Sequence, residues 1–143
     1  MKLAPDLHDL VDEMNRIPWT YVGVLTTKDF HGPDRLEDRV QKWIRRLHGT
    51  NQRKVMVLYV IERSPTGRNH VHVQLANIDL PPQSILDLWE SSGGGFKNVM
   101  LPYNPNLGSR YALKDWNTST HKGLNFSQRE FETLTTSPIG DSE

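Results

Sequence analysis

The alternation of apolar and polar positions divides this chain into short elements. Leu7, Leu10, Val11, Met14 and Ile17 recur at helical spacing, so residues 6–17 are expected as an amphipathic leading helix, stopped by Pro18. Trp19 to Thr27 is rich in aromatic and β-branched residues and predicts a first strand. After a loop, Asp34 is the expected N-cap of the clearest helix, with Glu37 three residues on. Leu36, Val40, Trp43, Ile44 and Leu47 form its apolar stripe. Lys54 to Glu62 is almost wholly apolar, as suits a central strand buried on both faces. A turn-forming S-P-T-G-R-N segment then leads into H-V-H-V-Q-L, which alternates with the period of a strand. The two strands are expected to form a hairpin.

Pro81 and Pro82 open a further helix with Ile85, Leu88 and Trp89 inward, and Gly93 to Gly95 stop it. Phe96 to Tyr103 predicts a fourth strand, Leu107 to Trp116 a helix, Leu124 to Phe126 a short strand, and 127–136 a last helical segment. A frayed tail is expected over 137–143. After the leading helix the order is β-α-β-β-α-β and then a helix. That order predicts an α+β, ferredoxin-like (RRM-like) split β-α-β fold: a central antiparallel sheet, helices on one face, and the other face free for a site.

Composition narrows the picture. A chain of 143 residues is expected as a single domain over 1–143, and its 36% hydrophobic and 24% charged content is that of an ordinary soluble protein. Formal net charge is zero, so any nucleic-acid site must be a local basic patch. Cysteine is absent, which excludes disulfides and thiolate metal sites. No apolar run approaches the ~18 residues of a membrane span, and no secretory leader is evident, so an intracellular location without a membrane partner is expected.

The candidate chemistry lies in the hairpin. In a strand, His70, His72 and Gln74 share one face while Val71, Val73 and Leu75 share the other. H-V-H by itself fits two solvent-facing histidines as well as it fits a metal site. Glu62 ends the preceding strand, and an even pairing sum puts it on the histidine face. Two imidazoles and a carboxylate then make a three-ligand site with open positions for substrate. The second element is Tyr111 with Lys114, which share a helix face at i and i+3. A phenol of ordinary pKa near 10 is a poor nucleophile without a cation or a polarised electrophile beside it. A tyrosine on an amphipathic helix is, by itself, more often a packing residue.

Taken together, Glu62, H-V-H-V-Q-L and Y-A-L-K resemble the HUH endonucleases, in particular the single-tyrosine rolling-circle replication initiators. V-G-V-L-T-T in the first strand is similar to the family's loosely defined first motif. The resemblance covers most of residues 19–117. It implies metal-dependent nicking of single-stranded DNA at an origin, which can be a hairpin. Mg²⁺ or Mn²⁺ would be held by Glu62, His70 and His72, and Tyr111 would form a 5′-phosphotyrosine. Lys114 would stabilise charge or orient the phosphate. The free 3′-hydroxyl allows the step to be reversed to join strands. An intracellular setting in cytoplasm or nucleoid, or in a nucleus for a eukaryotic virus, follows from the same resemblance.

The chain departs from the larger initiators in having no G-x-x-x-x-G-K-[ST] loop, so unwinding would fall to a host or separate helicase, or the chain is a nuclease-domain fragment or a minimal initiator. Arg68 and Arg110 are candidate DNA contacts, with Arg63 and Lys97 as weaker ones. Trp19, Tyr21 and Trp116 are either base-stacking or core residues. His8, His31, His48 and His121 have no ligand spacing and are expected at the surface. Two other readings remain open at this point: a transposase or relaxase of the same superfamily, and a non-catalytic RRM-like nucleic-acid-binding module.

Overall fold

A computed structural model describes residues 7–27, 32–63 and 68–136 of the chain. Its elements are α1 (Leu7–Met14), β1 (Trp19–Leu25), α2 (Pro33–Asn51), β2 (Met56–Glu62), β3 (His70–Ala76), α3 (Pro82–Ser91), β4 (Val99–Pro102), α4 (Arg110–Leu113), β5 (Lys122–Leu124) and α5 (Gln128–Thr135). The five strands form one sheet in the order β4-β1-β3-β2-β5, and every neighbouring pair is antiparallel. This is an α+β, ferredoxin-like split β-α-β arrangement with one added edge strand. Residues 64–67 of the turn between β2 and β3, together with His31 and the tail 137–143, lie outside the described residues.

Period-two alternation decides what each face of the sheet carries. Val57, Tyr59, Ile61, Val71, Val73 and Leu75 point to one side and pack with Leu36, Val40, Trp43, Ile44 and Leu47 of α2 and Ile85 and Trp89 of α3. Trp43 and Trp89 meet edge to face, with ring centroids 5.7 Å apart, at the centre of this core. The other face presents Trp19, Met56, Leu58, Val60 and Ala76, and these are covered by α1, α4 and α5 through Leu10, Val11, Met14, Leu113 and Phe131. Helices therefore lie on both faces. The apolar run of β2 from Met56 to Ile61 requires it, since leaving either side of that run in water would forfeit its burial energy. The face expected to be free is free only toward one end, where apolar side chains give way to Glu62, His70 and His72.

Several boundaries shift for local reasons. Gly32, not Asp34, is the N-cap of α2, because Pro33 occupies the first helical position and Asp34 falls in the first turn. The leading helix ends at Met14, and its last turn tightens so that Ile17 N–H donates to the Met14 carbonyl at 3.1 Å. The expected helix over Leu107–Trp116 is helical only over Arg110–Leu113. Gly108 sits at φ +64°, which bends the chain just before it, and a Cβ there would lie 2.8 Å from Asn15 Oδ1. α5 is closed by a capping box: Ser127 Oγ accepts from Glu130 N–H at 3.1 Å, and the Glu130 carboxylate accepts from Ser127 N–H at 2.8 Å.

Candidate metal centre and the tyrosine helix

The register of the β2–β3 hairpin builds the first half of the site. Glu62 pairs with His70 and Val60 with His72, so the carboxylate and both imidazoles project from the same face, as the even pairing sum requires. His70 Nε2 lies 3.1 Å from Glu62 Oε1, and His72 Nε2 lies 3.1 Å from Glu62 Oε2. The ligand atoms of the three residues are all within 4.8 Å of one another, so the group can hold a metal ion. Neighbouring ligands of an octahedral divalent ion, each bound at about 2.1 Å, stand about 3 Å apart. The two His–Glu separations, which are those of imidazole–carboxylate hydrogen bonds, are close to that spacing. His72 is nearly buried and His70 is about one-third exposed, which gives the site one walled side and one open side.

The second half comes from α4. Its four residues are too few to hold a helix unaided, so its place is set by what it packs on. Ala112 and Leu113 are buried in the second core, which turns Tyr111 and Lys114 toward the hairpin. The Tyr111 ring meets the His72 ring edge to face, with centroids 5.1 Å apart, while the tyrosine as a whole stays 61% exposed. Lys114 Nζ is 3.2 Å from Glu62 Oε2 and 4.6 Å from the centre of the Tyr111 ring. All five residues singled out in the sequence thus converge on one point.

The electrostatics follow from this crowding. Burial pushes the Glu62 carboxyl up, but hydrogen bonds from Asp115, Lys114 and His70, with the charge of His72, outweigh it and hold the group down at about 2. Burial lowers the His72 pKa against the opposing pull of Glu62, which favours the neutral imidazole that a metal needs. Lys114 is raised, first by its hydrogen bond to Glu62. Asp115 is also raised, because its carboxyl hydrogen-bonds Glu62 and one of the two must hold the proton.

Sequence reasoning missed Asp115. It directly follows Lys114, but no ligand spacing marks it, and only the packing of α4 against β2 brings it to Glu62. A cleft of about 490 Å³ runs from Glu62, Lys114 and Asp115 past Arg63 to Thr118 and His121, and it too was not evident from the chain. The remaining candidates divide. Arg63, Lys97, Arg68 and Arg110 are exposed, Arg110 directly beside Tyr111. Trp19 and Trp116 are buried in the second core and present no face for stacking, while the half-buried Tyr21 donates its hydroxyl to the Leu80 carbonyl at 3.1 Å. His8 is at the surface, as expected. His48 and His121 are half-buried instead: His48 Nε2 reaches the Val55 carbonyl at 3.1 Å, and His121 Nε2 reaches Asp34 Oδ1 at 2.5 Å. No helix among the described residues is long and apolar enough to cross a membrane. No protein family, no curated protein and no solved structure matches this chain.

Proposed function

We propose that this protein is a metal-dependent single-stranded DNA nickase and strand transferase of the HUH type, acting at an origin of rolling-circle replication. The observation that carries the reading is the contact between Tyr111 and His72, which sets an exposed tyrosine ring beside a group that could hold a metal ion. A bound divalent cation would polarise the scissile phosphate and neutralise charge developing on it. Mn²⁺ suits two imidazoles and a carboxylate better than Mg²⁺, which prefers an all-oxygen shell.

This chain's own residues would do the rest. The Tyr111 phenol oxygen attacks phosphorus, forming a P–O bond to tyrosine as the P–O3′ bond breaks. The phenol proton is lost to solvent, and the departing 3′-oxygen takes one up, so a 3′-hydroxyl and a 5′-phosphotyrosine result. The new ester keeps the phosphodiester bond energy, and a 3′-hydroxyl can return to reverse the step. Lys114, already beside the ring, supplies positive charge where phenolate and phosphate meet.

The surroundings support a nucleic-acid substrate. Between residues 91 and 114 there is no aspartate or glutamate, while Lys97, Arg110 and Lys114 are present, in a chain of zero net charge. The pairing also aligns Val99, Val24 and His72 across β4, β1 and β3, with Leu101, Val22 and Gln74 in the next such row. Val22, Val24, Val99 and Leu101, the last two exposed, therefore form an apolar strip between the histidine strand and the sheet edge, where bases could lie.

The test is a pool of labelled random-sequence single-stranded oligonucleotides incubated with Mn²⁺. The proposal expects a covalent protein–DNA adduct that a chelator prevents and that Tyr111→Phe abolishes. A wild-type protein that binds the strands without ever forming an adduct would instead be a non-catalytic binding module, and an adduct surviving in Tyr111→Phe would remove the tyrosine from the mechanism.

A further inference from the structure

Gln74 is 1% exposed and Ser109 is fully buried, and two polar side chains so enclosed need a reason to be there. Gln74 follows His72 by two positions on the same face of β3. Its Nε2 donates to Ser109 Oγ at 2.9 Å. Ser109 is the N-cap residue of α4, and its carbonyl accepts from Leu113 N–H at 3.1 Å, closing the turn that carries Tyr111. Its own N–H donates to Asn15 Oδ1 at 2.8 Å, just beyond α1. The strand that bears both histidines is thus hydrogen-bonded to the residue two places before the tyrosine.

From this geometry we infer that Gln74 is a positioning residue: through Ser109 it fixes the start of α4 and so places the Tyr111 phenol against His72. The physical need is clear from the helix itself. Four residues supply too little intrahelical hydrogen bonding to define an orientation, and Ala112 and Leu113 anchor only the buried side. Apolar packing resists translation away from the core but tolerates sliding and rotation, because it is non-directional. A buried hydrogen bond is directional and costly to leave unmade, so it selects one register of α4 on the sheet. Gln74 itself touches no substrate in this scheme.

The geometric inference stands by itself, and its consequence for rate rests on the proposed nickase reading. The test uses full-length metal-free protein and NMR of the His72 and Tyr111 ring protons, comparing wild type with Gln74→Met, which keeps the side chain's length but removes the donor. Loss of the cross-peak between the two rings, in a protein whose amide spectrum remains folded and whose Mn²⁺ affinity stays within about twofold, is expected. Under nicking conditions the adduct should form roughly ten- to a hundredfold more slowly, with little change in strand affinity. Should Gln74→Met not fold, Ser109→Ala removes the acceptor instead and carries the same expectation. An undiminished ring–ring cross-peak in the folded variant overturns the inference. Wild-type protein that shows the cross-peak but never forms an adduct overturns the nickase reading and leaves the positioning role intact.

Discussion

Lys114 and His72 reach for the same oxygen. Lys114 Nζ stands 3.2 Å from Glu62 Oε2, and His72 Nε2 stands 3.1 Å from it. The ammonium therefore occupies the charge position that a metal ion would share, and entry of such an ion would have to work against it. Replacing Lys114 by methionine should tighten Mn²⁺ binding roughly three- to thirtyfold, the effect expected of removing one positive charge a few ångströms from a partly solvated divalent ion. Titration calorimetry on wild type and Lys114→Met measures this directly. Equal or weaker binding in the variant would mean that the lysine helps to hold the metal instead of competing with it.

Acid should loosen the metal-free protein in two stages with a common sign. Burial holds the folded pKa of His72 below the ordinary 6.5, so the unfolded chain takes up the proton first. Stability should then decline as pH drops below 6.5 and stop declining once the folded group is itself protonated. Glu62 contributes stability that is complete above its ordinary 4.5 and is lost as pH falls toward about 2, with the raised Asp115 partly opposing it. Melting temperatures between pH 7.5 and pH 5.5 should fall in wild type and stay flatter in His72→Gln. An equal slope in both proteins would assign the acid sensitivity elsewhere.

The capping box on α5 gives a prediction remote from the metal group. Ser127→Ala removes a cap that closes the helix carrying Phe131 into the second core, and should cost about 1 kcal/mol of unfolding free energy at neutral pH. Burial raises the Glu130 carboxyl, but hydrogen bonds from Ser127 and the nearby Lys54 hold it below its usual value. Its contribution is therefore present above the unfolded value of 4.5 and lost on acidification through the folded one. Urea melts of Ser127→Ala and Glu130→Gln at pH 7 and pH 4 report both effects. The Glu130→Gln penalty should shrink at the lower pH.

Gly23 pairs with Met100 where β4 lies beside β1 in the sheet. A Cβ at this position would strike the Val99 carbonyl and come within 2.9 Å of the Met100 side chain. Gly23→Ala should therefore push the short β4 away from the sheet, at a cost of roughly 1–3 kcal/mol. Hydrogen exchange at Val99 to Leu101 should accelerate while the β2–β3 hairpin stays protected. Uniform loss of protection over the whole sheet would contradict this local account.

Local rules made much of the fold legible. The near-continuous apolar run before Glu62 marked a strand buried on both sides, and alternation in H-V-H-V-Q-L separated the faces of β3 correctly. An even pairing sum put Glu62 on the face of His70 and His72, because side-chain parity in an antiparallel hairpin is a matter of geometry, and the structure pairs it with His70. Cap and turn chemistry was less decisive. Asp34 has the right side chain for an N-cap, yet Pro33 already suits the first helical position, and the chain takes that option.

The sequence by itself determined the hairpin half of the site, since Glu62, His70 and His72 are joined by short-range pairing that alternation specifies. Only the tertiary structure decided that Tyr111 and Lys114 come to rest against it. Their helix is four residues long, and nothing within it encodes where it rests. That position comes from burying Ala112 and Leu113 in a second core and from the hydrogen bond between Gln74 and Ser109, contacts between residues far apart along the chain. Non-local packing also covered the face that the β-α-β order had left open, turned Trp19 and Trp116 inward, and brought Asp115 to Glu62. Pairing within a hairpin can be read from periodicity. Which distant surfaces meet depends on the shape of the whole core.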